Sequence, residues 1–211
     1  MPTLLAFGDS NTHGSAPMRD REDRVRLGPE ARWPGACAAA LGPDWTVVEE
    51  GLPGRTAQFP DPVMGDHMDG RIGLKIALAS HGPIDVLAVM LGTNDVKARF
   101  APSVARVTAG IAALADIALS PEWQERHGGF RLLLVAPPPV VETGPFAGEF
   151  LGAEAVMAGL PAAYARLAAA RGAGFLDAGQ VIAVSPLDGI HFGAEAHGAL
   201  GRAIAEAVRA L

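Results

Sequence analysis

Short apolar runs alternate along the chain with stretches of helical periodicity. The runs are Leu4–Phe7, Trp45–Val48, Val86–Leu91, Leu132–Ala136 and Gly174–Leu176. Each is bounded by Gly, Pro, Asp or Asn, which is typical of strands buried on both faces of a parallel sheet. The helical stretches are Trp33–Leu41, Arg71–Ser80, Val104–Leu119, Ala153–Arg171 and Ala194–Leu211. This alternation predicts βαβ units, so we expect an α/β fold: a three-layer α/β/α sandwich with a central parallel sheet of about five strands, flavodoxin-like in type.

Length and composition restrict the class of protein. A chain of 211 residues fits one domain, 1–211, and its core needs neither a disulfide nor a metal ion. The net charge of −6 argues against nucleic acid as a partner. Cys37 is the only cysteine, which excludes an intrachain disulfide and fits a reducing compartment. We see no signal-peptide pattern and no run of 18 apolar residues, so the sequence predicts a cytoplasmic protein with no membrane partner.

The first strand is followed directly by a serine. In open parallel sheets, ligands bind at the carboxyl ends of the strands. Ser10 follows Gly8 and Asp9 at such an end, where a sharp turn into a helix exposes a hydroxyl beside free backbone N–H groups. The alternative is that Ser10 only caps the following helix, a role that serine favours.

An aspartate precedes a histidine by three residues near the end of the chain. Asp188 and His191 can lie on one turn, where the carboxylate accepts the Nδ1 proton and leaves Nε2 free to take a proton from a serine. The alternatives are a surface turn or a pair of metal ligands. No further cluster of His, Cys or acidic residues has ligand spacing, so we expect no metal site.

Two more loops follow strands of the predicted sheet. Asn94 comes after the third strand, and its side-chain amide can donate a hydrogen bond to a developing oxyanion. An ordinary turn would also favour the Gly, Asn and Asp of this loop. The loop Gly51–Gly54 follows the second strand and offers further N–H groups.

Together these segments resemble the ordered blocks of the SGNH (GDSL-like) hydrolases. The matching segments are Gly8–Ser10, Glu49–Thr56, Gly92–Asp95 and Asp188–Phe192. The resemblance implies that Ser10 is the nucleophile, His191 the base and then the acid, and Asp188 its orienting partner. It also implies an oxyanion hole made by the N–H groups of Ser10 and Gly54 and the amide of Asn94.

The sequence departs from the family pattern at two positions. Asn11 replaces a leucine next to the nucleophile, and Glu50 stands where many members have asparagine. The second departure makes the role of Gly54 less firmly implied than the other roles.

Within the family, the chain is most similar to bacterial arylesterases and acyltransferases. This implies a small-molecule ester substrate, no cofactor, and a serine esterase that forms an acyl-enzyme. Some members of that branch transfer acyl groups to alcohols or peroxide, and some form oligomers, so acyl transfer and a homo-oligomer are further expectations. A carbohydrate acetyl esterase using the same residues is an alternative. A non-catalytic anion-binding module is a remote one, because it leaves Asp188 and His191 unexplained.

Two irregular segments are expected to wall the substrate pocket or to form subunit contacts. They are the charged segment Arg19–Glu30 and the Pro- and Gly-rich segment Pro137–Gly152. Candidate pocket residues are Pro53, Phe146, Phe150 and Phe192. The three phenylalanines fit a plain core or subunit contact equally well.

Overall fold

The computed structural model describes residues 1–211 and is built around five parallel strands. The strands are β1 (Thr3–Gly8), β2 (Thr46–Gly51), β3 (Val86–Met90), β4 (Arg131–Ala136) and β5 (Gly174–Asp177). Their order in the sheet is β2-β1-β3-β4-β5, and every neighbouring pair is parallel. All carboxyl ends therefore meet at one edge.

Eight α-helices connect and cover the strands. They are α1 (Ser10–His13), α2 (Trp33–Leu41), α3 (Gly70–Ser80), α4 (Val104–Ala118), α5 (Pro121–His127), α6 (Ala153–Met157), α7 (Leu160–Arg171) and α8 (Ala194–Arg209). No helix is by itself long and apolar enough to cross a membrane; α4 and α5 together pass that test of length and composition, with a bend of 51° between them.

The two faces of the sheet bury separate hydrophobic cores. Side chains of successive strand residues point to opposite faces, so Leu5 and Phe7 of β1 join one core while Leu4 and Ala6 join the other. The first core is covered by α3, α4 and α7, and the second by α2 and α8. This is the predicted three-layer α/β/α sandwich, and the fold prediction is confirmed.

Three elements differ from the sequence-based expectation. Both outer strands, β2 and β5, are only half-buried, because an edge strand has one neighbour in the sheet. The stretch Ala153–Arg171 is not one helix but α6 and α7, with Pro161 in the first turn of α7, where its missing N–H costs no helical bond. Helix α5 went unpredicted because its sequence is mainly polar and only Trp123 and His127 are buried.

Candidate active site

The turn that carries Ser10 is tight because β1 runs directly into α1. Ser10 is the first residue of α1, and the Asp9 carboxylate caps the helix by accepting the Asn11 N–H at 2.9 Å. A Cβ at Gly8 would lie 2.8 Å from the Met90 carbonyl oxygen and 2.0 Å from Thr12 Oγ1, so only glycine fits at this position. The N–H groups of Asn11, Thr12 and His13 donate to Asp9, whereas that of Ser10 has no acceptor in the protein and is a free donor beside the Ser10 hydroxyl.

Ser10, His191 and Asp188 form a continuous series of hydrogen bonds. The Ser10 Oγ lies 3.0 Å from His191 Nε2, and His191 Nδ1 lies 2.7 Å from Asp188 Oδ2. Asp188 Oδ1 also accepts the backbone N–H groups of Ile190 and His191, at 3.1 and 3.0 Å. The turn therefore fixes the position of the Asp188 carboxylate relative to the His191 imidazole. This geometry allows the imidazole to remove the serine proton while the carboxylate stabilises the resulting imidazolium.

Asp188 is held in its ionised form. Burial by itself raises the pKa of this carboxyl, but the His191 side chain and the backbone N–H groups of His191 and Met18 outweigh burial and lower the pKa below its usual value. The Met18 N–H donates to Asp188 Oδ2 at 2.8 Å, the same oxygen that faces the imidazole. The carboxylate is thus fully provided with donors.

Donors from three loops converge beside Ser10. Gly54 has φ +90° and its backbone N–H donates to no acceptor within the protein. The Asn94 amide nitrogen lies 3.1 Å from the Arg55 carbonyl oxygen and 3.4 Å from Asp9 Oδ2. The second contact is long for a hydrogen bond, which leaves one N–H of Asn94 available to an oxyanion. Ser10, Gly54 and Asn94 all line one cavity.

Arg55 fixes the loop that carries Gly54. Its guanidinium is buried, donates to the Gly8 carbonyl at 2.9 Å and also to the Glu50 carbonyl, and lies 4.2 Å from the centre of the Phe7 ring. In the structure it ties β1 and the end of β2 to the loop.

Two further carboxyl groups are buried near the Ser10 turn. Burial raises the pKa of Asp9 to about 6, although the Asn11 N–H and nearby positive charges oppose the shift. Burial also raises the pKa of Asp95 to about 7, with a contribution from the charge of Asp9. Both oxygens of Asp95 lie 2.9 Å from the Ala57 nitrogen. Asp9 caps α1 through the Asn11 N–H, and its Oδ2 also lies 3.4 Å from the Asn94 amide nitrogen. Asp95 fixes the loop at Ala57.

The cavity beside Ser10 has a volume of about 340 Å³. Three of the four predicted pocket residues, Pro53, Phe146 and Phe150, line it. Phe192 does not, and the expectation for this residue is wrong. It is fully buried in the core beneath α8, where its ring lies 4.3 Å from that of His197, because the chain turns inward immediately after His191.

The charged segment Arg19–Glu30 and the segment Pro137–Gly152 wall the cavity together. Arg21 links them, since its guanidinium donates to Glu149 at 2.7 Å and lies 5.3 Å from the centre of the Phe146 ring. An antiparallel bridge between Ser15 and Arg26 closes the base of the charged segment. Its tip is exposed, as expected, but its flank faces the site.

Three residues of this site were not predicted from the sequence. Asn11 donates to the Ile190 carbonyl at 3.0 Å and so ties the nucleophile turn to the histidine turn. Met18 supplies the backbone donor to Asp188, and Lys97 lines the cavity. Only Asn11, as a departure from the family pattern, carried a signal in the sequence, whereas the other two contacts have no local pattern.

The remaining histidines do not join the series. His13 lines the cavity, but its ring has no carboxylate partner, and burial lowers its pKa. His197 is fully buried and accepts the Trp33 N–H at 3.1 Å, and burial lowers its pKa to about 4. No group of three or more His, Cys, Asp or Glu side chains is arranged to hold a metal ion.

A parallel α/β/α sandwich with a Ser-His-Asp series at the carboxyl edge of its sheet defines a serine hydrolase. Residues 6–199 match the family model described as GDSL-like Lipase/Acylhydrolase, and the chain belongs to this family. It is accordingly an SGNH-type serine hydrolase that acts on carboxylic esters.

Solved structures resemble the whole chain. An aryl esterase from M. smegmatis is 36% identical, with 100% of both chains covered and a TM-score of 0.94. A carbohydrate acetylesterase from Sinorhizobium meliloti is also 36% identical, with 100% of this chain and 99% of that chain covered and a TM-score of 0.94. No match was found among curated proteins.

Proposed function

We propose that this esterase cleaves small aryl and alkyl esters through an acyl-enzyme on Ser10. The observation that carries the proposal is the unbroken series from Ser10 Oγ through His191 to Asp188, with contacts of 3.0 and 2.7 Å at the edge of a cavity. Similarity to an aryl esterase over the full chain supports the choice of substrate class.

The first step forms the acyl-enzyme. His191 Nε2 takes the hydroxyl proton as Ser10 Oγ bonds to the ester carbonyl carbon, and the oxyanion accepts hydrogen bonds from the N–H groups of Ser10 and Gly54 and from Asn94. The carbon–oxygen bond to the alcohol then breaks, and His191 returns the proton to the departing alcohol. Asp188 stabilises the imidazolium that exists between these events.

The second step releases the acyl group. Water gives a proton to His191 as its oxygen bonds to the acyl carbon. The bond between that carbon and Ser10 Oγ then breaks and His191 returns the proton to Oγ, which yields a carboxylic acid and regenerates the Ser10 hydroxyl. We also propose that an alcohol or peroxide can replace water, which makes the same site an acyltransferase. The rings of Phe146 and Phe150 in the cavity wall support this, because they offer apolar surface on which an alcohol can pack.

We also propose that the protein is cytoplasmic and that it self-associates. A cytoplasmic location is supported by the single cysteine, since a chain with one cysteine forms no intrachain disulfide. Self-association is supported by large apolar side chains on the surface, among them Val63 at 76% and Leu151 at 63% exposure. Sedimentation velocity of the purified protein tests the second point, and a single monomeric species would contradict it.

Hydrolysis of p-nitrophenyl acetate, butyrate and octanoate tests the main proposal. We expect Ser10→Ala to lower kcat by about 10⁴-fold or more, since loss of a nucleophile removes the covalent path. Ser15→Ala is the matched control because this serine lines the same cavity but contacts neither histidine of the cavity wall. Product esters formed with added short alcohol measure acyl transfer.

Equal rates for the parent and Ser10→Ala would contradict the assignment of the nucleophile. Turnover of acetylated xylose without turnover of the aryl esters would instead favour a carbohydrate acetyl esterase, the activity in the name of the relative from Sinorhizobium meliloti. The trend in rate from acetate to butyrate to octanoate measures the length of acyl chain that the pocket accepts.

A further inference from the structure

The cavity beside Ser10 is rich in positive charge, although the chain as a whole carries −6. Four cationic side chains and a single acidic one line it. The cationic residues are Arg21, Arg24, Arg26 and Lys97, and the acidic residue is Glu149. A cleft lined by one sign of charge raises the local concentration of ligands of the opposite sign.

Among the four cations that line the cavity, Lys97 is the nearest along the chain to a residue of the proposed oxyanion hole. It follows Asn94 by three residues, and its backbone N–H donates to the Asn94 carbonyl at 3.3 Å. Its side chain is only 8% exposed, yet it lines the cavity, with Nζ 6.0 Å from the centre of the Phe150 ring. The ammonium therefore lies inside the cavity wall instead of extending into bulk water.

The Lys97 ammonium has no hydrogen-bond partner in the protein. Its nearest carboxylate oxygen is Glu149 Oε2 at 4.0 Å, beyond hydrogen-bond distance. Glu149 is already occupied, because Oε1 accepts Arg21 at 2.7 Å and Oε2 accepts Arg99. Asp61 is likewise bound to Arg99 and to backbone N–H groups.

A largely buried ammonium whose nearest carboxylate oxygen lies 4.0 Å away is unfavourable, since the charge loses part of its hydration without gaining a hydrogen bond. Burial accordingly lowers the pKa of Lys97, and Glu149 opposes the shift only in part. An anionic ligand in the cavity would supply the missing acceptor, and hydrogen bonds between charged groups are the stronger kind.

We propose that Lys97 forms a subsite for a carboxylate on the substrate, so that this esterase prefers esters that carry a negative charge. The proposal rests on the esterase function proposed above and narrows its substrate class. Half-esters of dicarboxylic acids carry the charge on the acyl side, and acyl esters of hydroxy acids carry it on the alcohol side.

Two pairs of esters that differ only in charge test the proposal. On the alcohol side 4-acetoxybenzoate is compared with 4-acetoxybenzamide, and on the acyl side monoethyl glutarate is compared with ethyl glutaramate. We expect kcat/KM of the parent to favour the anionic member of at least one pair by about tenfold or more. The pair that shows the preference identifies the side of the ester that faces Lys97.

The same ratio is then measured in variants of the chain. Lys97→Met is expected to lower the anionic-to-neutral ratio by about tenfold relative to the parent, which cancels any intrinsic difference between the esters. Lys75→Met is the matched control, because Lys75 is the only other lysine and is exposed on α3. Lys97→Arg keeps the charge and is expected to retain the preference, which makes the test independent of how well Lys97→Met folds.

Binding separates this proposal from the proposed catalytic function. Calorimetry with the Ser10→Ala protein is expected to show 4-acetoxybenzoate or monoethyl glutarate binding about tenfold more tightly than its carboxamide, and Ser10→Ala/Lys97→Met is expected to lose the difference. Selective binding without turnover by the parent would overturn the esterase function and leave the subsite standing. Equal binding of both members of both pairs, or a preference that survives in Lys97→Met, would overturn the subsite.

Discussion

At the scale of single residues, the notable feature of the site is its pair of buried carboxyl groups. Asp9 and Asp95 are almost completely inaccessible, and burial raises their pKa values to about 6 and about 7. Near neutral pH their ionisation opposes folding, because the unfolded chain ionises them freely. The carboxyls that shape the loops around Ser10 therefore reduce the stability of the fold.

The pH dependence of stability follows from the direction of this shift. Because the pKa of Asp95 is higher in the folded than in the unfolded state, its contribution to stability is complete below the usual value of 3.8 and is lost as the pH rises through about 7. Asp95→Asn removes this dependence. Between pH 5 and pH 8, we expect the free energy of unfolding of the variant to gain roughly 2 kcal/mol relative to the parent.

Urea unfolding of both proteins at several pH values measures this difference. Asp44→Asn is the control, because it makes the same substitution at an exposed carboxylate. His197 and Asp188 have lowered pKa values, so their titration changes stability with pH in the opposite direction. Both residues are present in the parent and in the variants, so their contribution cancels in the difference of unfolding free energies. A constant difference between the parent and Asp95→Asn from pH 5 to pH 8 would show that Asp95 is not a destabilising buried acid.

At the scale of elements, the charged segment Arg19–Glu30 and the residues before it are coupled to the proposed triad by one backbone contact. The Met18 N–H donates to the Asp188 oxygen that also faces the imidazole. Met18→Pro removes this donor without removing any triad side chain. We expect kcat to fall by about tenfold, since hydrogen bonds to charged groups contribute roughly 1.5–3 kcal/mol.

Met18→Ala is the control that separates the effect of the backbone N–H from the effect of the side chain. It keeps the N–H donor and shortens only the side chain. Steady-state kinetics of both variants on p-nitrophenyl acetate, with thermal unfolding as a check on folding, provide the comparison. If Met18→Pro were no slower than Met18→Ala, the contact would have no part in orienting Asp188.

Helices α2 and α8 pack closely through a glycine. A Cβ at Gly201 would lie 2.6 Å from the Trp33 carbonyl oxygen and 2.8 Å from the Cys37 nitrogen, both of them backbone atoms that cannot move separately. We expect Gly201→Ala to destabilise the protein by about 1–3 kcal/mol, as overpacking of a core does. On the same helix, a Cβ at Gly198 meets only the end of the Arg202 side chain, at 3.5 Å.

Gly198→Ala is therefore expected to stabilise the protein by about 0.5–1 kcal/mol, because alanine is a better helix former than glycine. Chemical unfolding of the two variants compares the same substitution on one helix. Equal effects of the two substitutions would mean that helix propensity outweighs the contact between α2 and α8.

At the scale of the whole molecule, the fold was predictable because its signals are local. Each strand is a short apolar run bounded by turn residues, and the observed bounds differ from the predicted ones by at most three residues. Strand ends then indicate where loops meet, which is why Ser10 and Asn94 were candidates for one site. His191 was a candidate for a different local reason, its spacing of three residues from Asp188. Long-range contacts carry no such signal. Three features depend on residues far apart in the chain: the inward turn of Phe192, the contact between Met18 and Asp188, and the position of Lys97 without a hydrogen-bond partner.

The separation of Ser10 and His191 by 181 positions has a consequence for biosynthesis. A ribosome releases the serine 181 positions ahead of the histidine, and domains generally fold as units. Helix α8, which covers the second core, emerges later still. A nascent or prematurely terminated polypeptide thus carries the nucleophile without its base. Esterase activity in a lysate would consequently report full-length product, and two halves divided between Ser10 and His191 would form a split reporter of reassembly.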